Sequence, residues 1–171
     1  MTIAGGALGA VFAVAGAGVQ AVWPDAQRPL AIVLGVITLL YALSEAGVIA
    51  LPVPGRDWQV PAGWVREGFY RSAIIFGSTV GFGIFTRVPY PSFPILLGWL
   101  FVSGNVAYGV IAGLVYGVCR AISIYSSAPY TGTAELVEWN QRIMAMIPSM
   151  HQLTGLALAA FASYLLIAPA L

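Results

Sequence analysis

From Ile3 to Trp23 the chain runs without one charged side chain. A helix of that length rises about 30 Å, the thickness of a bilayer's hydrocarbon core. Comparable apolar runs recur at about 30–51, 72–103, 105–125 and 143–168. This repetition constrains the fold more than any short motif. Of 171 residues, 60% are hydrophobic and 8% charged. A water-soluble domain of this size cannot hide so much apolar surface, because a small domain keeps a large share of its residues at the surface. The sequence therefore predicts an all-α, polytopic integral membrane bundle, a single transmembrane domain over residues 1–171 with about five spans.

Charge orients the bundle and excludes function classes. All seven cations are arginine, and the net charge is +1, too small for the basic face that nucleic acid requires. The linker 52–71 carries Arg56, Arg66 and Arg71, with Trp58 and Trp64 suited to the headgroup layer. With that linker cytoplasmic, five spans also place Arg120 and Arg142 inside, leaving Arg28 outside and Arg87 within the bilayer region. That distribution follows the positive-inside rule and sets the N-terminus inside and the C-terminus outside. The first residues lack a basic leader, so they read as a retained helix and not as a signal peptide. The expected location is the cell membrane, in multi-pass form, of bacterial cytoplasmic type.

The third run interrupts itself. "GSTVGFGIFTRVPYPSFPILLGWL" (77–100) has Gly77, Gly81 and Gly83, then Pro89, Pro91 and Pro94 around Arg87 and Tyr90. Three prolines cannot share one regular helix, since each lacks a donor and clashes with the preceding turn. In hydrocarbon the freed carbonyls need protein or a water-filled cavity beside them, and transporters build midplane sites from such breaks. The segment 72–103 is thus expected to be broken at 87–94. Arg87 has three readings: it snorkels to the surface, pairs with Glu45, or meets an anionic substrate. Glu45, in "LLYALSEAGVIAL", either caps the interface or needs a proton or a partner such as Arg87, Arg120 or another protein. Gln20 and Asn105 are interhelical glue or ligands. Arg87, Glu45, Tyr90 and Asn105 are the candidate substrate-binding residues.

Other features carry less chemistry. Gly109, Gly113 and Gly117 repeat every fourth residue and mark a helix-packing surface or a channel wall. Thr133 opens a short amphipathic helix. In "MAMIPSMH", Met144, Met146, Met150 and His151 are soft or borderline ligands that with Cys119 would suit Cu(I), but the spacing matches no standard metal motif and apolar packing is the better reading of the methionines. His151 is the only histidine, so haem would need a methionine or a partner subunit as its second ligand. A single cysteine allows neither an internal disulfide nor a CxxC pair. No triad, HExxH or phosphate loop supports an autonomous enzyme, and no cofactor is implied.

The glycine-rich helix, the proline break and the "YG…R" turn within 77–121 resemble one half of the cytochrome c biogenesis (CcdA/DsbD-like) transmembrane family, in the group that includes LysE-type exporters. The resemblance implies a helical membrane fold of six spans in two inverted halves, and a thiol relay through cysteines beside the prolines. Here those positions hold Arg87 and Tyr90, Cys119 stands on another helix, and one break is evident. A relay needs two exchanging thiols, so the resemblance carries fold and not redox chemistry. Three functions follow: a small transporter or transport subunit with its site at 87–94; a non-catalytic anchor or structural subunit of a larger membrane complex; or a metal- or redox-handling subunit using His151 and Cys119. The expected partners are the lipid bilayer and other membrane subunits or further copies of the chain.

Overall fold

A computed structural model of the chain describes residues 2–52, 91–125 and 133–167. Among them every regular element is helical. They are α1 (Thr2–Val22), a 3-10 turn (Pro24–Ala26), α2 (Gln27–Glu45), α3 (Ser92–Ser103), α4 (Val106–Tyr125) and α5 (Thr133–Ile167). Three stretches are long and apolar enough to cross a membrane: Thr2–Val22, Pro24–Glu45 and Ala134–Ile167. The apolar parts of α3 and α4 are shorter. The helices fall into two compact units. One holds α1, the 3-10 turn, α3 and α4 as far as Ala121; the other holds α2 from Arg28, the turn that follows it, and α5.

In the first unit, α1 contains five glycines. In water each would cost about 1 kcal/mol relative to alanine, but in hydrocarbon the helix is the only way for one segment to satisfy its own backbone. The glycines then allow close packing. A Cβ built on Gly109 would lie 2.6 Å from the Gly9 carbonyl oxygen and 2.7 Å from Ala13 Cβ. Gly5 and Gly113 oppose each other's carbonyls in the same way. The pairings run in opposite senses along the two helices, so α1 and α4 are antiparallel with backbones touching. The glycine stripe of α4 is thus a packing surface.

Helix α3 lies on the same pair. It is 12 residues long, about 18 Å at the helical rise, against about 30 Å for the hydrocarbon core. Gly104 stops it at φ 59, and Gly104 N–H bonds the Leu100 carbonyl. After Asn105 the chain turns back as α4. Phe93, at the start of α3, packs with Leu8 and Leu97, and with Phe12 and Tyr116. Its ring stacks on Tyr116 with centroids 4.5 Å apart. Phe12 and Tyr116 stand near the middle of α1 and α4, whose ranges are Thr2–Val22 and Val106–Tyr125. Near the other end, Gln20 Nε2 donates to the Val102 carbonyl (2.7 Å), one of the last carbonyls of α3 that its own helix cannot satisfy. So α3 runs from mid-depth to one end of its neighbours. The expected break at 87–94 is described only from Pro91 onward; Pro91 is fully buried and Arg87 and Tyr90 lie outside the described residues.

The second unit pairs α2 with α5. Helix α2 buries Ala31, Leu34, Gly35, Thr38 and Ala42, while Ile32, Val33, Val36, Ile37 and Leu40 face outward. A helix apolar on both faces belongs in lipid or a large core. On α5, Gly155, Leu158, Ala162 and Leu165 form the opposing stripe. A Cβ on Gly35 would meet Leu165 and Leu166, and one on Gly155 would meet Glu45 Cβ at 3.2 Å and the Ala42 carbonyl at 3.4 Å. These contacts make the two helices antiparallel. Thr38, the one buried polar residue among those described, donates its hydroxyl to the Leu34 carbonyl (2.7 Å) and so needs no partner on α5.

Two boundaries differ from expectation. The second run stays apolar to Leu51, yet α2 ends at Glu45. Gly47, at φ 76, reverses the chain; its N–H bonds the Ser44 carbonyl, and Val48 N–H bonds Leu43 (3.0 Å each), a Schellman stop. Residues 48–52 then return along α2, with Leu51 N–H on Ser44 Oγ and the Tyr41 hydroxyl on the Pro52 carbonyl (3.2 Å each). Apolarity records lipid exposure, whereas a left-handed glycine decides the stop. The second difference is α5. The amphipathic helix at Thr133 and the last span are one continuous helix of 35 residues, about 52 Å long. Between them stand good helix formers, and Arg142 bonds Glu138 one turn back (2.6 Å). Pro148 lies inside this helix.

Candidate functional site

The described residues bring together two groups that the sequence treats separately. Glu45 is the last residue of α2. His151 stands on α5, one turn before Gly155. Their side chains meet: His151 Nδ1 lies 2.5 Å from Glu45 Oε2. The Glu45 side chain is 6% exposed and that of His151 39%. Gly155 makes the contact feasible, since any larger residue there would press on Glu45 Cβ.

Each element sets one part of this geometry. A carboxylate at the C-terminal end of a helix faces the negative pole of the helix dipole. It cannot remain alone and buried, because a desolvated charge needs a paired, hydrogen-bonded partner. The imidazole supplies a donor when Nδ1 carries the proton. The arrangement pins the end of α2 to α5.

The other described candidates make contacts within the first unit. Asn105 precedes α4 and caps it: Oδ1 accepts from the Tyr108 N–H (3.1 Å). The Tyr108 hydroxyl accepts from Trp99 Nε1 (3.3 Å), joining α4 to α3. Gln20 ties α1 to α3, as described above. Arg120 donates to the Tyr116 hydroxyl one turn back (2.6 Å) and lies over that ring. Among the described residues the partner on Glu45 is His151, which the sequence reading does not name; Arg87 lies outside them. Two opposed stripes could have revealed it: 31, 35, 38, 42, 45 on α2 and 151, 155, 158, 162, 165 on α5 share the same alternating spacing, and each ends in its one ionisable group.

The metal candidates stand on two elements, Met144 and His151 on α5 and Cys119 on α4. Met144 and His151 are seven residues apart on one helix, about 10 Å along its axis. Met144 is exposed, and Cys119 is exposed on α4 in the other unit. Among the described residues no three His, Cys, Asp or Glu side chains group as ligands. None of the protein-family models, curated proteins or solved structures compared with the chain matches it.

Proposed function

We propose that the chain is a small multi-pass transporter of the bacterial cytoplasmic membrane, or the transport subunit of one, with its solute site at the break before α3. The observation that carries this reading is the half-length of α3, whose first turn lies level with the middle of α1 and α4. In this reading the chain before that buried proline is irregular backbone near the midplane. That is tolerated only against protein or a cavity, and it is how transporters expose backbone groups to a solute. Arg87 and Tyr90 precede Pro91 by four residues and one; in this reading they complete the site, and Arg87 selects an anionic group. The five-span arrangement with the N-terminus inside belongs to the same reading, as does the likeness of 77–121 to the CcdA/DsbD-like membrane fold without its thiols.

A second reading has its own observation. The part of α5 before His151 carries Leu136, Met146 and Met150 exposed at helical spacing, a surface suited to a companion membrane subunit. One experiment separates the two. The purified chain is reconstituted into proteoliposomes and challenged with a panel of small anions while solute-driven current is recorded. Transport predicts current for at least one anion and its loss in Arg87→Ala. Silence across the panel, with a stoichiometric protein companion in the purified material, overturns transport in favour of the subunit.

A further inference from the structure

We infer that lipid acyl chains cover α5 ahead of His151, and that the end of α2, with Glu45 and the Gly47 reversal, therefore lies at the bilayer midplane. The inference goes beyond the transport reading and stands without a solute.

Register supplies the first observation. A Cβ on Gly155 would meet Glu45 Cβ and the Ala42 carbonyl, so the end of α2 is level with Gly155. From Gly155 back to Arg142, the nearest arginine or acid along α5, is about 20 Å at the helical rise. From Glu45 back to Arg28, at the start of α2, is about 25 Å. Because the helices are antiparallel, the two arginines stand about 45 Å apart along the pair. A bilayer with its headgroup layers measures about 40–45 Å. The arginines thus match opposite headgroup layers, and Glu45 falls near the centre between them. By length alone α2 could cross; its register against α5 ends it halfway.

Side chains supply the second observation. From Ile143 to Met150 the one polar residue is Ser149. Met144 and Met146 are both exposed and, two residues apart, stand on nearly opposite sides of the helix. Leu153 and Leu156 carry the exposed apolar surface past the level of Glu45. A helix apolar all round belongs in lipid or in a core, and this stretch would stand in water if α5 entered the membrane only at His151. Acyl chains are the occupant it fits: the surface bears no charge, and the Glu138–Arg142 ion pair begins where it stops.

The reversal supplies the third. Backbone that leaves a helix in hydrocarbon must find its partners within the protein. Gly47 and Val48 N–H bond carbonyls of the last turns of α2, Leu51 N–H bonds Ser44 Oγ, and the Tyr41 hydroxyl donates to the Pro52 carbonyl. Pro52 has no N–H to satisfy. At this depth Glu45 is not an interfacial cap, the first of the roles its sequence allows. An ionisable group there needs a partner inside the protein, and the His151 ring is one.

The full chain with Cys119→Ser receives one nitroxide at a time, through Gln141→Cys, Met146→Cys, Leu153→Cys or Ile167→Cys, all exposed positions, and is reconstituted in nanodiscs. Collision with oxygen, which concentrates among acyl chains, against collision with a water-soluble nickel chelate gives each depth. The deepest label is expected at Leu153, with Met146 intermediate. Gln141 and Ile167, about 18 and 21 Å away along the helix, should lie near the two surfaces. Chelate reaching Met146 as freely as Gln141 would overturn the inference, and so would a Met146 label shielded from oxygen and chelate alike, as beneath a protein companion. A second measurement needs no substitution. Hydroxyl radicals generated in bulk water should leave Met144 and Met146 of the unaltered chain unoxidised; their rapid oxidation would overturn the inference even where no labelled variant folds.

Discussion

Replacing Gly109 by alanine should pull α1 and α4 apart. The added methyl would sit 2.6 Å from the Gly9 carbonyl oxygen and 2.7 Å from Ala13 Cβ, where ordinary contact begins at 3.4 Å. Neither neighbour is the tip of a flexible side chain, so relief requires the helix axes to separate by several tenths of an ångström. Overpacking of this kind costs about 1–3 kcal/mol. Alanine returns up to about 1 kcal/mol through better helix propensity. With the full propensity gain subtracted, the net destabilisation is up to about 2 kcal/mol, up to roughly a 30-fold shift in the folded to unfolded ratio. Gly18→Ala is the internal control, because a Cβ there meets nothing within 4 Å. It collects only the propensity gain, up to about 1 kcal/mol of stabilisation. Reversible unfolding in mixed micelles, with both variants measured against the unaltered chain, gives the two values. Opposite signs are expected. Equal effects would refute the claim that α1 and α4 touch through their backbones.

Further substitutions test the turns and ties. Gly47→Ala should destabilise by about 1–2 kcal/mol through backbone strain alone, since its φ of 76 is left-handed and its surroundings are open; Gly47→Asn should cost less in the same unfolding assay. Asn105→Ala should lose about 1 kcal/mol with the cap of α4, while Asn105→Ser retains most of it; solute current unaltered in Asn105→Ser would mark the residue as a cap only. Gln20→Leu should cost about 1 kcal/mol, because the Val102 carbonyl loses its interhelical donor in a medium without water. Hydrogen exchange at the end of α3 should rise in that variant and stay unchanged in α5.

Apolar runs of bilayer length fixed the helical membrane class, and the four-residue glycine repeat marked the face of α4 that meets α1. Both are local patterns, readable because the same residues make the helix and the contact. The end of α2 was hidden, because "AGVIAL" continues the apolar signal while the stop depends on one backbone angle at Gly47. The continuity of α5 was hidden for the opposite reason: Glu138, Asn140, Gln141 and Arg142 interrupt the apolar run like a linker although all are compatible with a helix. The short reach of α3 could not be read from hydropathy, since proline position limits where a helix starts but not how deep its neighbours place it. The Glu45–His151 contact joins residues 106 apart in sequence. It depends on antiparallel pairing of α2 with α5, which neither segment specifies alone.

Depth is the quantity on which the account turns. With Cys119 replaced by serine, the chain has no other cysteine, so a fluorophore can be placed singly at Ser92 or at Val106, both exposed. Quenching by lipids brominated at graded acyl positions then measures each depth in a bilayer. The account predicts Ser92 near the bilayer centre and Val106 near one surface, separated by about 15 Å along the normal, as a half-length helix requires. Equal, shallow depths at the two positions would contradict it: α3 would then lie along the membrane surface, and the midplane break would have no structural basis.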